Sequence, residues 1–127
     1  MKQKTDGVPT KGEFEILQIL WKLGSATVKQ VHQDIGREGA YTTTLKLLQI
    51  MTEKGLVDRK EVGRAHVYRA KISEKQGTGE FIRELVERVF GGSPTRLVMQ
   101  VLGSGKPTRV ELGKIRKLIE EMEGEKE

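Results

Sequence analysis

A helix that stops at a glycine and runs straight into a hairpin leaves few folds open. Residues 39–70 read GAYTTTLKLLQIMTEKGLVDRKEVGRAHVYRA. Thr44, Leu47, Leu48 and Met51 share one helical stripe over about residues 42–54. Gly55 is a stop signal, because glycine accepts the left-handed conformation that ends helices. Two β-prone runs follow, Leu56–Lys60 and His66–Ala70, with Val62-Gly63-Arg64-Ala65 and its glycine turn between them. That pattern predicts a hairpin.

Upstream, Thr10-Lys11-Gly12-Glu13 has capping-box spacing, with Thr10 as N-cap and Glu13 reaching back. Phe14, Ile16, Leu17, Ile19, Leu20, Trp21 and Leu23 fill the helix that follows, and Gly24 ends it. Ser25-Ala26-Thr27 is a short link able to form one strand. Thr27 can cap a second helix carrying Val28, Val31, His32 and Ile35. Residues 36–39 form a turn, and Met1–Val8 reads as a polar arm. Three helices joined by short turns and followed by a hairpin describe a winged helix-turn-helix. Its third helix enters the DNA major groove, and the hairpin is the wing.

Beyond residue 73 the chain changes character. Phe81, Ile82, Leu85, Val86, Val89 and Phe90 recur at helical spacing after a cap at Ser73. Gly91-Gly92-Ser93-Pro94 breaks that helix. A short one from Thr95 carries Leu97, Val98, Val101 and Leu102, and a last one spans Thr108–Met122 with Leu112, Ile115 and Ile119 among its apolar residues. Three amphipathic helices in about 50 residues make a marginal independent core. Pairing with a second copy would cover Phe81, Leu85, Val89, Leu97, Val101, Leu112, Ile115 and Ile119. The fold expected is mainly α: a winged helix-turn-helix over residues 1–73 and a three-helix dimerisation domain over residues 74–127.

Charge divides along the same line. Residues 1–73 hold 13 Lys/Arg against 8 Asp/Glu, and residues 74–127 hold 10 against 10. The whole net charge of +5 therefore lies in the first part, as expected of a polyanion-binding module joined to an interaction module. A merely soluble protein of high pI is compatible with the same totals. The chain has no Cys, which excludes disulfides, thiolate zinc sites and a Cys nucleophile. The first residues are polar, with no signal peptide, and no apolar run approaches the ~18 residues of a membrane span. A cytoplasmic protein without a membrane partner is the expectation.

No catalytic constellation, metal site or cofactor motif is visible. His32 and His66 have no acid or nucleophile at a recognisable spacing, and no glycine-rich loop precedes a Lys-Ser/Thr pair. The Glu-rich end reads as a solvated helix terminus. The third helix is more informative. Solvated positions in a helix favour Glu and Lys, yet Thr42 and Thr43 stand beside Lys46 and Gln49 on the outward side. Short hydroxyls at a helix start can donate to phosphates or set their methyls against thymine, and Gln49 can pair with adenine. Tyr41 can touch the backbone at the entry. Thr42 as a simple N-cap is the plainer reading, and the two roles are compatible. Arg64 in the glycine turn suits a phosphate or minor-groove contact, and Lys11 and Thr27 at helix starts are weaker phosphate candidates. A protein-interaction adaptor without sequence-specific DNA binding is the rival class.

The segments PTKGEFEILQILWKLGSATVKQVHQDI, YTTTLKLLQIMTEKGLVDRKEVGRAHVYRA and FIRELVERVFGGSPTRLVMQVL together resemble the BlaI/MecI/CopY penicillinase-repressor family. The resemblance runs from about Pro9 to Met122. It implies a homodimeric repressor that binds a dyad-symmetric double-stranded DNA operator. It further implies a sensor-linked protease partner cutting near Gln100-Val101. The family's cut falls between Asn and Phe, which this chain lacks, and its copper-responsive branch carries paired Cys, also lacking here. Some relatives place a basic residue where Ile50 stands, so Ile50 implies a shift toward thymine-methyl contact.

Overall fold

The protein is represented by a computed structural model describing residues 8–36 and 39–126. Most of the polar arm and two residues of the expected turn, 37 and 38, lie outside the described residues. Helix α1 spans Lys11–Leu23, strand β1 Ala26–Thr27, α2 Val28–Ile35 and α3 Tyr41–Lys54. Strands β2 (Val57–Val62) and β3 (Ala65–Ala70) follow, then α4 (Glu74–Val89), α5 (Pro94–Ser104) and α6 (Arg109–Lys126). The chain is mainly helical. By compactness it divides inside α4, one unit ending at Leu85 and the other starting at Val86.

In the first unit the capping logic holds. Thr10 Oγ1 accepts from the Glu13 N–H, and Glu13 Oε1 accepts from the Thr10 N–H at 2.9 Å. Thr27 and Gln30 repeat the arrangement at the start of α2. Each reciprocal pair satisfies two of the amides a helix start leaves orphaned.

The sheet has three antiparallel strands in the order β1-β3-β2. The link at Ser25–Thr27 therefore contributes a true, if short, strand. It pairs Ala26 with Tyr68 and Thr27 with Val67. Val62 faces Ala65, so the hairpin turns on Gly63-Arg64 alone. Gly63 has φ 64°, as a two-residue turn with glycine first requires.

The core of this unit gathers Ile16, Leu17 and Leu20 from α1, Val31 from α2, and Leu48 and Met51 from α3. Leu56, Val57 and Tyr68 close it from below. Burying each large apolar side chain stabilises the fold by roughly 1.5–3 kcal/mol. Tyr68 turns inward because it lies opposite Ala26 on the middle strand, while its neighbour Val67 takes the other face. Phe81, expected at a dimer interface, stacks on Phe14 with ring centroids 4.5 Å apart. The start of α4 is fastened as well. Trp21 Nε1 donates to the Ile72 carbonyl at 3.0 Å, and Gly77 lies against the Trp21 ring.

Several boundaries differ from the sequence expectation. Helix α3 starts at Tyr41 with Ala40 as N-cap, so Thr42 is a helical residue and not the cap. Helix α5 starts at Pro94 under a Ser93 cap. Thr108 caps α6 rather than belonging to it, and α6 runs past Met122 to Lys126.

In the second unit, Val98, Met99 and Val101 of α5 are exposed, as are Val110, Leu112, Leu118, Ile119 and Met122 of α6. Leu97 and Ile115 are half-buried. Among the described residues no helix is long and apolar enough to cross a membrane.

Candidate nucleic-acid interface

Helix α3 divides its residues cleanly. Thr44, Leu48 and Met51 are buried; Tyr41, Thr42, Thr43, Lys46 and Gln49 are exposed. Leu47 and Ile50 are half-buried, so Ile50 stands at the border of the outward stripe and not at its centre. The outward group is a helical stripe because Thr42, Lys46 and Gln49 follow one another at four and three residues.

The start of α3 carries no side-chain cap hydrogen bond. Ser or Thr caps α1, α2, α5 and α6. No side chain therefore covers the first turn of α3: the Thr43 N–H bonds back to the Ala40 carbonyl at 3.0 Å, and exposed Thr42 and Thr43 stand at the positive end of the helix dipole. Such a terminus suits an anionic oxygen.

Helix α3 is held in place at both ends. At its C-terminal end Lys54 Nζ lies 2.8 Å from Glu13 Oε1, a pair whose side chains are 18% and 3% exposed. At its start Thr44 Oγ1 lies 2.8 Å from His32 Nδ1 of α2.

The wing supplies cations. Arg64 is exposed at the hairpin tip. Arg59 and Lys60 of β2 are also exposed, and none of the three enters an ion pair among the described residues. Arg69 and Lys71 instead lean toward Asp58, at 4.0 and 3.9 Å. Sequence reasoning passed over Arg59 and Lys60. Two adjacent cations in the β-prone run that leads to the Gly63 turn are the available signal.

Lys11 is exposed in the first turn of α1. The Thr27 hydroxyl is already engaged as acceptor for the Gln30 N–H, though a hydroxyl so engaged keeps a proton to donate. His66 does have an acid near it: Glu61, its cross-strand partner, lies 3.7 Å away. The expectation that His66 lacked one fails because cross-strand neighbours are distant in local spacing. Both side chains are largely exposed, which suits a surface contact and not an acid–base pair. Among the described residues no group of three His, Cys, Asp or Glu could hold a metal ion.

The fold has a solved counterpart. The YusO protein of Bacillus subtilis aligns with a TM-score of 0.53 at 18% identity, over 95% of this chain and 78% of that one. A mutant of ZitR from Lactococcus lactis in complex with DNA aligns with a TM-score of 0.43 at 16% identity, over 100% of this chain and 82% of that one. No curated protein matches the chain by sequence. The family model of the penicillinase repressor matches residues 9–121, which takes in both units, and the chain belongs to that family.

Proposed function

We propose that this protein is a homodimeric transcriptional repressor that binds a dyad-symmetric DNA operator, each protomer reading one half-site with α3. The observation that carries the reading is the start of α3: an uncapped helix N-terminus flanked by outward Thr42 and Thr43. Phosphate contacts from Lys11, Thr27, Tyr41 and Arg64 set the register, and Thr42, Thr43, Lys46 and Gln49 read base edges. Arg59 and Lys60 add cationic surface to the wing. The exposed apolar stripes of α5 and α6 supply the dimer contact, since a monomer would leave Val101, Leu112 and Ile119 in water. Two half-sites one or more helical turns apart follow from that symmetry.

Release by proteolysis near Gln100-Val101 belongs to the same proposal. Both residues are exposed but lie within α5, so a protease would have to unwind that helix first.

DNA binding measured against salt tests the reading. A repressor loses affinity steeply between ~50 and ~200 mM salt, and Arg64→Ala lowers the log–log slope by ~1. A protein-interaction adaptor shows no such loss. An unchanged slope in Arg64→Ala takes Arg64 out of the phosphate contacts.

A further inference from the structure

We propose that His32 is a positioning residue for DNA recognition, holding the first turn of α3 through the Thr44 hydroxyl and the Tyr41 ring. The inference rests on α3 being the reading helix.

His32 stands in the last turn of α2 and is half-buried. Its Nδ1 lies 2.8 Å from Thr44 Oγ1. Its ring meets Tyr41 edge-on, centroids 5.8 Å apart at 72°. Tyr41 and Thr44 are three residues apart, so they stack on one side of the same turn. One imidazole thus touches the turn at two points.

The chemistry of Thr44 shows that this contact is specific. A threonine hydroxyl in a helix ordinarily bonds back to the carbonyl four residues earlier. Thr52 of the same helix does so, reaching the Leu48 carbonyl at 2.8 Å. Thr44 is only 5% exposed, and its hydroxyl instead crosses to another helix. A threonine hydroxyl both donates and accepts, so the bond survives either imidazole tautomer.

The same turn lacks a side-chain cap. A capped start is fixed by its own N-cap residue; here the fixing group comes from α2. The residues that must be placed are Tyr41, Thr42 and Thr43, and recognition geometry tolerates only about 0.5 Å of drift. Losing the His32 contact would let the uncapped turn fray while Leu48 and Met51 keep the rest of α3 docked.

The test uses the full-length protein and two duplexes: one selected by the wild-type protein from a randomised library, and a scrambled version of it. Thr44→Val removes the hydroxyl at constant shape, and His32→Phe keeps a ring against Tyr41 but removes the nitrogen. Each is expected to lower affinity for the selected duplex about five- to tenfold, the worth of one net hydrogen bond. Affinity for the scrambled duplex stays within about twofold, because it reports phosphate electrostatics. The double variant loses no more than either single one. His32→Asn, whose amide reaches the Nδ1 position, regains most of the loss. Should His32→Phe not fold, Thr44→Val and His32→Asn carry the comparison.

A merely structural histidine would lower the unfolding midpoint and leave the selected-to-scrambled ratio alone, and that result would overturn the proposal. Additive losses in the double variant would overturn it too. A wild-type protein that selects no duplex removes the DNA-reading role itself. Selection by the wild type with indifferent variants removes only the role of His32.

Discussion

Lys54→Met is the substitution whose cost follows most directly from the geometry around α3. Glu13 serves two partners at once: the Thr10 N–H at 2.9 Å and Lys54 Nζ at 2.8 Å. Its side chain is 3% exposed, so removing the cation leaves a carboxylate out of reach of water. Breaking a buried pair from one side costs about 3–5 kcal/mol, and the surviving Thr10 bond puts this case near the lower end, about 3 kcal/mol. The reverse change is milder. In Glu13→Gln the amide oxygen still accepts from Thr10, and Lys54, with 18% exposure, can swing its ammonium toward solvent. We expect about 1–2 kcal/mol there. The double variant leaves no buried charge and should cost about 1 kcal/mol, less than Lys54→Met alone. For a unit of this size 1 kcal/mol moves the melting midpoint by about 4–8 °C, so Lys54→Met should fall by at least ~12 °C. Thermal and urea unfolding of the three variants read this out. A loss below about 1 kcal/mol in Lys54→Met, or a double variant equal to the sum of the singles, would refute the reasoning.

Three further outcomes follow from named contacts. Gly77→Ala gains about 1 kcal/mol of helix propensity, but its methyl would stand 2.7 Å from Trp21 Cη2 and 3.1 Å from Ile72 Cδ1; with overpacking at about 1–3 kcal/mol the net is destabilising, and fluorescence of the single tryptophan reports it. Ala40→Asp caps α3, so it should raise stability by about 1 kcal/mol yet weaken DNA binding by placing a carboxylate where a phosphate belongs; tighter binding would show that this terminus does not face DNA. The backbone N–H of Thr108, and then its hydroxyl, hold the Glu111 carboxyl below its ordinary value of 4.5. The charged form is thus favoured by folding. The α6 cap is complete above pH 4.5 and lost as pH falls through the lowered value, which the Thr108 amide shift should track and Glu111→Gln should abolish.

The sequence announces what is local and conceals what is not. The inward stripe of α3 and its stop at Gly55 are legible because helical periodicity and glycine chemistry act within a few residues. The hairpin is legible for the same reason, from Gly63-Arg64 between two β-prone runs. The start of α3 lies one residue before the position its sequence suggests, because Ala40 carries no capping side chain to betray it. A two-residue strand has no periodicity, so the pairing of Ala26 with Tyr68, and with it the inward turn of Tyr68, emerges only from the sheet register. Glu13 reads as half of a capping box, but nothing in the sequence marks Lys54, 41 residues on, as its second partner. The stripe containing Phe81 was visible; that Phe14 would take Phe81 as a stacking partner was not.

The three threonines at the start of α3 show how those two kinds of information combine. As helix formers each is worse than alanine by a few tenths of a kcal/mol, a cost that the buried Leu48 and Met51, at roughly 1.5–3 kcal/mol each, offset easily. Propensity therefore decides nothing here, and position does. Thr44 faces inward, where its hydroxyl joins α3 to His32. Thr42 and Thr43 face outward beside amides that no side chain caps. With Glu13–Lys54 fixing the far end, the outward stripe is carried on a helix tied at both termini and packed in the middle. What such a helix leaves without a side-chain cap is its first turn, where an anion would meet the Thr42 and Thr43 hydroxyls at the positive end of the helix dipole.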